Sequence, residues 1–113
     1  MADLKLLFEA QKQLQNHIHG VTFPVAKVDP ERLRESLLGI IGEVGEVMEA
    51  SQEWKYHRTN KPQTDREHLI EEVADIWKYA INLVLYLGFD NDDLVEAFMK
   101  KTKVNFERKE SGY

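Results

Sequence analysis

Residues 69–88, LIEEVADIWKYAINLVLYLG, are the strongest indication of the fold class of this chain. Wound as a helix, this stretch carries apolar side chains around most of its circumference, and Gly88 supplies an end signal. A helix this apolar needs burial on several sides, and a chain of 113 residues can scarcely cover it alone. We therefore expect a partner subunit. One continuous polar face remains, at steps of three and four residues: Glu72, Asp75, Tyr79, Asn82 and Tyr86.

An earlier stretch, ESLLGIIGEVGEVMEA at residues 35–50, has the same design. Apolar residues flank a stripe of acids and small residues. Three glycines in one helix cost roughly 1 kcal/mol each relative to alanine. We therefore expect a neighbouring helix or a ligand to approach closely there. The stripe comprises Ser36, Gly39, Glu43, Glu46, Ala50 and Glu53, and the glycines are Gly39, Gly42 and Gly45.

Each of these two helices carries an acidic pair three residues apart: Glu43 and Glu46 on the first, Glu72 and Asp75 on the second. Packed face to face, the pairs gather four carboxylates in a small volume, which requires protons or cations for compensation. Mg²⁺ suits hard carboxylate oxygens and keeps positions open for water and phosphate, and Mn²⁺ is an alternative. The pattern predicts a metal site.

Acidic pairs three residues apart also occur by chance, which is the alternative to a metal site. With 20 acids in the chain, about three acidic pairs at this spacing are expected at random. We interpret Asp90/Asp93 and Glu107/Glu110 as such accidents on solvated faces. A redox di-iron bundle is disfavoured, because neither stripe contains the Glu-x-x-His signature. A non-catalytic helical interaction module, with the stripes forming a polar dimer seam, remains the alternative.

Helical periodicity and capping signals extend along the chain, and we see no convincing strand. The sequence predicts an all-α fold in a single domain, residues 1–113, forming a four-helix bundle completed by oligomerisation. The predicted helices run from about Asp3 to His17, from Pro30 (capped by Asp29) to about Tyr56, from a cap at Thr64 or Asp65 to Leu87, and from DNDD at 90–93 to about Arg108, with residues 109–113 frayed.

The composition of the chain limits the classes of partner that it is expected to bind. The net charge of −5 and a pI of about 5.4 argue against a nucleic acid polymer or an anionic membrane as partner. The chain has no cysteine, no signal-peptide pattern and no apolar run long enough to span a bilayer. These features fit a cytoplasmic protein.

Further residues are candidates for binding an anion or a base. Lys101, Asn105 and Arg108 share one face of the last helix, where they suit phosphate oxygens or simply form its solvated basic end. Trp54 and Lys55 suit a base and a phosphate, although Trp54 is equally a core or interface residue. Tyr79 and Asn82 suit sugar or base contacts, or they satisfy each other inside the bundle.

The segments GEVGEVMEASQEWK, EEVADIWKYAINLVLYLG and KTKVNFER together resemble the MazG-like, all-α nucleoside triphosphate pyrophosphohydrolases. That superfamily also contains the dimeric dUTPases and the dCTP pyrophosphatases. The shared pattern is E-x-x-E, a spacer and E-x-x-D, which here is Glu43-x-x-Glu46 and Glu72-x-x-Asp75. The resemblance covers roughly residues 33–109, and residues 1–32 match less clearly.

The resemblance implies Mg²⁺-dependent cleavage of a nucleoside triphosphate into monophosphate and pyrophosphate, by a homodimer or homotetramer. It implies that the four acids hold metal ions and that one acid orients or deprotonates the attacking water. By position Glu46 is the first choice for that role, with Glu43 and Glu49 also open. It assigns the nucleotide pocket to Trp54, Lys55, Tyr79, Asn82, Lys101, Asn105 and Arg108. The preferred base and sugar stay open.

Overall fold

The computed structural model of the chain describes residues 2–51 and 65–112, and every regular element in these two ranges is a helix. The prediction of an all-α fold is confirmed. The predicted end of the second helix near Tyr56 and the predicted connection 57–64 lie outside the described residues. The four helices are α1 (Ala2–His19), α2 (Pro30–Ser51), α3 (Arg66–Tyr86) and α4 (Asn91–Glu110).

Local capping chemistry explains where the helices begin. The Asp29 carboxylate accepts a hydrogen bond from the Glu31 amide at 3.0 Å, and Pro30 supplies a preset φ at the first helical position. Asp65 caps α3 by accepting from the amides of Glu67 and His68. These two helix starts were correctly predicted from the sequence.

The helix ends follow equally local rules. Gly20 and Gly88 both have positive φ, 68° and 93°, which glycine adopts without the penalty of a Cβ atom. Each follows shortly after a helix, α1 and α3 respectively. The first helix extends two residues beyond its predicted end at His17, and α4 extends two residues beyond Arg108.

One interpretation from the sequence is corrected at the start of α4. Asp90 and Asp93 are not a chance pair on a solvated face, because they form a reciprocal capping box. The Asp93 carboxylate accepts from the Asp90 amide at 2.9 Å, and the Asp90 carboxylate accepts from the Asn91 amide at 2.7 Å. The pair therefore fixes the beginning of α4.

Two pairings arrange the helices around the site. The hairpin of α2 and α3 is antiparallel, since Gly39 lies against Tyr79 while Glu43 lies beside Asp75. In contrast, α1 runs parallel to α3, because Gln11 bonds to Asn82 and Gln15 bonds to Tyr86. The polar stripes predicted on α2 and α3 thus face each other, and α1 forms a third wall beside them.

The core is small. Phe8, Ile81 and Leu85 are buried together, and the ring of Phe23 packs edge-on against Tyr86 with 5.4 Å between ring centroids. Partly buried Leu94 joins α4 to this cluster. No helix in the described ranges is long and apolar enough to cross a membrane.

Much apolar surface stays uncovered. The radius of gyration is 17.4 Å, against about 13 Å for a compact chain of this length. On α2 an apolar face is open to solvent, with Ile41 exposed by 68%, and a groove of about 480 Å³ separates Leu7 of α1 from Val73 and Trp77 of α3. The exposed apolar residues of α2 are Leu37, Leu38, Ile41, Val44 and Met48.

Candidate metal centre and adjoining cavity

Three carboxylates meet where α2 packs against α3. Glu43 comes from α2, and Glu72 and Asp75 come from successive turns of α3. One oxygen from each of the three lies within 4.8 Å of the others. The close contact of Gly39 with Tyr79, one turn away, holds the helix axes near enough for these short side chains to meet. The i, i+3 spacing seen in the sequence is what places both α3 acids on the facing side.

The cluster carries an excess of negative charge. Partial burial raises the pKa of Glu43, and repulsion from Asp75, Glu72 and Glu46 raises it further, together with a hydrogen bond to Glu72. The basic neighbour is His68, whose Nε2 lies 3.3 Å from the Glu72 carboxylate. Within the described part of the chain, no lysine or arginine forms an ion pair with the three acids. A bound cation would neutralise this excess negative charge.

The donor set fits a hard divalent cation. Three carboxylates from two rigid helices converge, and all three are half-buried rather than free in solvent. Mg²⁺ and Mn²⁺ take carboxylate oxygen and are commonly held by a few protein ligands with water or phosphate completing the shell. Glu43, Glu72 and Asp75 are therefore the residues suited to hold such an ion.

The fourth predicted ligand is placed differently. Glu46 is exposed and lies outside the group of converging oxygens, although its charge contributes to the raised pKa of Glu43. A step of three residues turns a side chain by about 60° around the helix axis. Because Glu43 faces α3 directly, Glu46 is turned towards the rim of the site.

The other predicted site residues fall into three groups. Tyr79 and Asn82 line a cavity beside the acids. Lys101, Asn105 and Arg108 are exposed on α4, and among the described residues they neither line this cavity nor join the converging carboxylates. Trp54 and Lys55 lie outside the described residues.

The cavity extends from the acidic cluster along the α1 side of α3. Its volume is about 380 Å³, which suits a small organic ligand. Glu43 and Asp75 line its acidic end. Asn82 lies two helical turns beyond Asp75, which is about 10 Å along α3. The remaining wall comes from α1, from the start of α2 and from Lys78 of α3, and its other residues are Gln11, Leu14, Gln15, Ile18, His19 and Glu35.

Sequence reasoning missed the buried amides in this wall. Gln11 and Gln15 are 3% and 6% exposed, and both bond to α3. Burial raises the pKa of Tyr86, so its phenol stays protonated and donates to the Gln15 oxygen at 2.7 Å. The sequence feature that indicates these buried amides is the i, i+4 spacing of the two glutamines beside the apolar face of α1.

The chain is all-α, and the acidic cluster between its two antiparallel helices opens on a polar cavity. These features define a class of helical proteins that contain a candidate metal centre. A sequence model of the dUTPase family, which is dimeric, all-α and MazG-like, matches residues 3–87. The chain belongs to this family. No curated protein and no solved structure shows significant similarity to it.

The extent of the family match differs from the resemblance read in the sequence. It begins at residue 3, so it includes α1, and it ends at residue 87, before α4. Family membership supports a nucleotide pyrophosphatase-type function in general, and enzymes of this kind generally use divalent metals. The wall formed by α1 thus belongs to the family's matched region, whereas the basic face of α4 does not.

Proposed function

We propose that the chain is a Mg²⁺-dependent nucleoside triphosphate pyrophosphohydrolase that converts a (d)NTP into (d)NMP and pyrophosphate with a metal-activated water. The observation that carries this proposal is the convergence of Glu43, Glu72 and Asp75 at the end of a cavity of about 380 Å³. An acidic protein with a net charge of −5 can then bind a polyanion, because the cation stands between the two.

Each acid has a proposed part. Glu43, Glu72 and Asp75 would hold the cation, with Glu46 as a fourth ligand from the rim of the site. A divalent cation, when bound, lowers the pKa of a coordinated water and neutralises charge on phosphoryl oxygens. We assign the acceptance of the water proton to Glu46, with Glu43 and Glu49 as alternatives, because an acid at the rim is open to a water and remains close to the cluster.

The remaining contacts follow the ends of the cavity. Tyr79 and Asn82 line the wall beyond the acids and suit the sugar or base of a nucleotide whose phosphates lie at the acidic end. For the phosphates we propose Lys101, Asn105 and Arg108 on the strength of the resemblance, since among the described residues they do not line this cavity, with Lys55 and a stacking Trp54 closing the pocket. The chain acts as a homodimer or homotetramer in this proposal, supported by the open apolar face of α2.

The test is product identification with a panel of nucleoside triphosphates in Mg²⁺. Release of pyrophosphate and a monophosphate is expected, and release of orthophosphate contradicts the proposal. Glu43→Gln, Glu46→Gln, Glu72→Gln and Asp75→Asn should each reduce kcat by about 10²-fold or more. Glu71→Gln is the matched control, because this exposed acid on α3 lies outside the cluster.

The open apolar surface favours a second candidate, a non-catalytic helical interaction module. In that case Mg²⁺ with a nonhydrolysable nucleotide leaves the melting temperature unchanged. The enzyme, in contrast, is stabilised by ligands that bind only the folded state. A pair of thermal melts separates the two candidates before any assay of turnover.

A further inference from the structure

The polar face of α3 extends one turn further towards the start of the helix than its acids, to His68. His68 precedes Glu72 by four residues and Asp75 by seven, so the three side chains leave the helix on one side. The ring nitrogen Nε2 of His68 lies 3.3 Å from Oε1 of Glu72. Within the described ranges, His68 belongs neither to the converging ligand atoms nor to the wall of the adjoining cavity. We therefore expect it to affect a bound ion through Glu72.

The chemistry of this contact defines the tautomer of His68 that makes it. An ionised carboxylate only accepts hydrogen bonds, so the ring nitrogen that faces Glu72 must carry a hydrogen atom. Oε1 of Glu72 is then engaged by His68, which leaves the second carboxylate oxygen to bind a cation. A glutamate side chain rotates about three bonds, and a donor that holds one oxygen restricts where the other oxygen can lie.

The position of His68 is fixed by the start of α3. The Asp65 carboxylate accepts from the amides of Glu67 and His68, at 3.1 Å and 3.3 Å. The backbone of His68 is therefore held by the N-cap, and its ring contacts Glu72 one turn further along the helix. The side chain of Glu72 is 15% exposed and that of His68 is 54% exposed, so the ring contacts a half-buried carboxylate from the solvent side.

We propose that His68 is a positioning residue that holds the Glu72 carboxylate in place for a divalent cation, without itself binding the ion. The inference rests on the proposed function for the presence of a cation, and it is independent of the nucleotide. It adds to the metal centre a group that is not one of the four acids. Removal of such an outer contact typically weakens metal binding by about 10–100-fold.

Mn²⁺ is the probe for the first test, because electron paramagnetic resonance measures the free ion directly. His68→Leu removes the donor and keeps a side chain of similar size, and we expect it to raise the Kd for Mn²⁺ by about tenfold or more. His68→Gln places an amide nitrogen near the position of Nε2, so the Kd should stay within about threefold of the wild-type value. His17→Leu, which replaces an exposed histidine of α1, is the matched control and should leave the Kd unchanged.

A double-mutant cycle shows whether His68 acts through Glu72. Glu72→Asp keeps a carboxylate but withdraws it from the histidine ring, so His68→Leu should cause little further loss of Mn²⁺ affinity in that background. Losses that simply multiply overturn the proposed route. Pulsed electron paramagnetic resonance gives an independent readout. A nitrogen coupling to bound Mn²⁺ that disappears in His68→Leu would identify His68 as a direct ligand, which also overturns the inference.

The inference and the proposed function fail in different ways. If the wild-type protein binds Mn²⁺ but releases pyrophosphate from no triphosphate, the proposed reaction is wrong and the Kd values still decide the role of His68. If it hydrolyses a triphosphate, excess Mg²⁺ should restore kcat in His68→Leu, with an unchanged KM for the nucleotide. A folded His68→Leu protein that binds Mn²⁺ as tightly as the wild-type protein overturns the inference alone. A wild-type protein that binds no Mn²⁺ overturns both proposals.

Discussion

Gly39 of α2 and Tyr79 of α3 lie in direct contact, so close that a Cβ atom added at Gly39 would come within 2.7 Å of the tyrosine Cγ. This distance is below any ordinary van der Waals contact. The glycine therefore serves to bring two helix axes together, and the carboxylates one turn further along the hairpin are close because the axes are. In the described residues, a Cβ added at Gly42 or Gly45 would meet nothing.

Gly39→Ala is expected to destabilise the protein by about 1–3 kcal/mol, because overpacking outweighs the better helix propensity of alanine. In a Tyr79→Ala background the same change should be neutral or stabilising by up to about 1 kcal/mol, since the obstructing ring is gone. The free energy of unfolding in urea, measured for all four proteins of the double-mutant cycle, gives the coupling between the two sites. Additive effects would show that the ring does not limit the approach of α2.

The ion pair between Lys12 and Asp90 predicts a dependence of stability on pH. The two groups lie 2.7 Å apart and join α1 to the start of α4. The hydrogen bond from Lys12 to Asp90 raises the pKa of Lys12 above 10.5. Burial pushes the pKa of Asp90 up, but the bonds from Lys12 and the Asn91 amide outweigh it and lower this pKa below 3.8. The stabilisation is therefore present between these two ordinary values, and it is lost as pH falls through the folded pKa of Asp90.

Asp90→Asn isolates this ion pair, because asparagine is as good an N-cap as aspartate. The variant should lose about 0.5–1 kcal/mol at pH 7, as expected for a partly exposed pair. The difference from the wild-type protein should shrink as the pH approaches 3. Urea unfolding at several pH values measures it, with Asp92→Asn as the control for a nearby acid. A difference that stays constant down to pH 3 would exclude the ion pair as its source.

Local chemistry explains why the helices were predictable. Asp29, Asp65 and Gly88 act within one turn of their own position, so the sequence alone predicts where α2 and α3 begin and where α3 ends. The packing of α1 was not predictable in this way. Its parallel alignment with α3 depends on Gln11 and Gln15 meeting partners about 70 residues away, which no local pattern records.

The acidic site was predictable for a related reason. The steps between Glu72 and Asp75 and between Glu43 and Glu46 place each pair on one side of a helix, but they do not say how the helices are rotated in the hairpin. The rotation is fixed by the contact of Gly39 with Tyr79, and it places Glu43 inside the cluster and Glu46 at its rim. The spacing of the acids already predicted a metal site, and the resemblance added the reaction, which spacing alone does not contain.

Without metal, Glu43→Gln is expected to stabilise the protein, because it removes a carboxylate that is repelled by Asp75, Glu72 and Glu46. With Mg²⁺, the order should reverse, since the wild-type protein gains binding free energy and the variant loses a ligand. Thermal melts in EDTA and in excess Mg²⁺ measure both effects. Glu71→Gln should show neither effect. A Glu43→Gln variant that responds to Mg²⁺ like the wild-type protein would remove Glu43 from the metal site.

The exposed apolar face of α2 predicts that a charged substitution on this face weakens the association of subunits. Ile41→Asp should shift the protein from oligomer to monomer, because the aspartate would have to be desolvated unpaired against the apolar surface of a second subunit. Light scattering coupled to size-exclusion chromatography measures the mass. Leu6→Asp is a matched control, since Leu6 is also 68% exposed but shares its face of α1 with Gln13 and His17. An oligomer that survives Ile41→Asp unchanged, or a wild-type protein that is already monomeric, would show that this face is not the subunit interface.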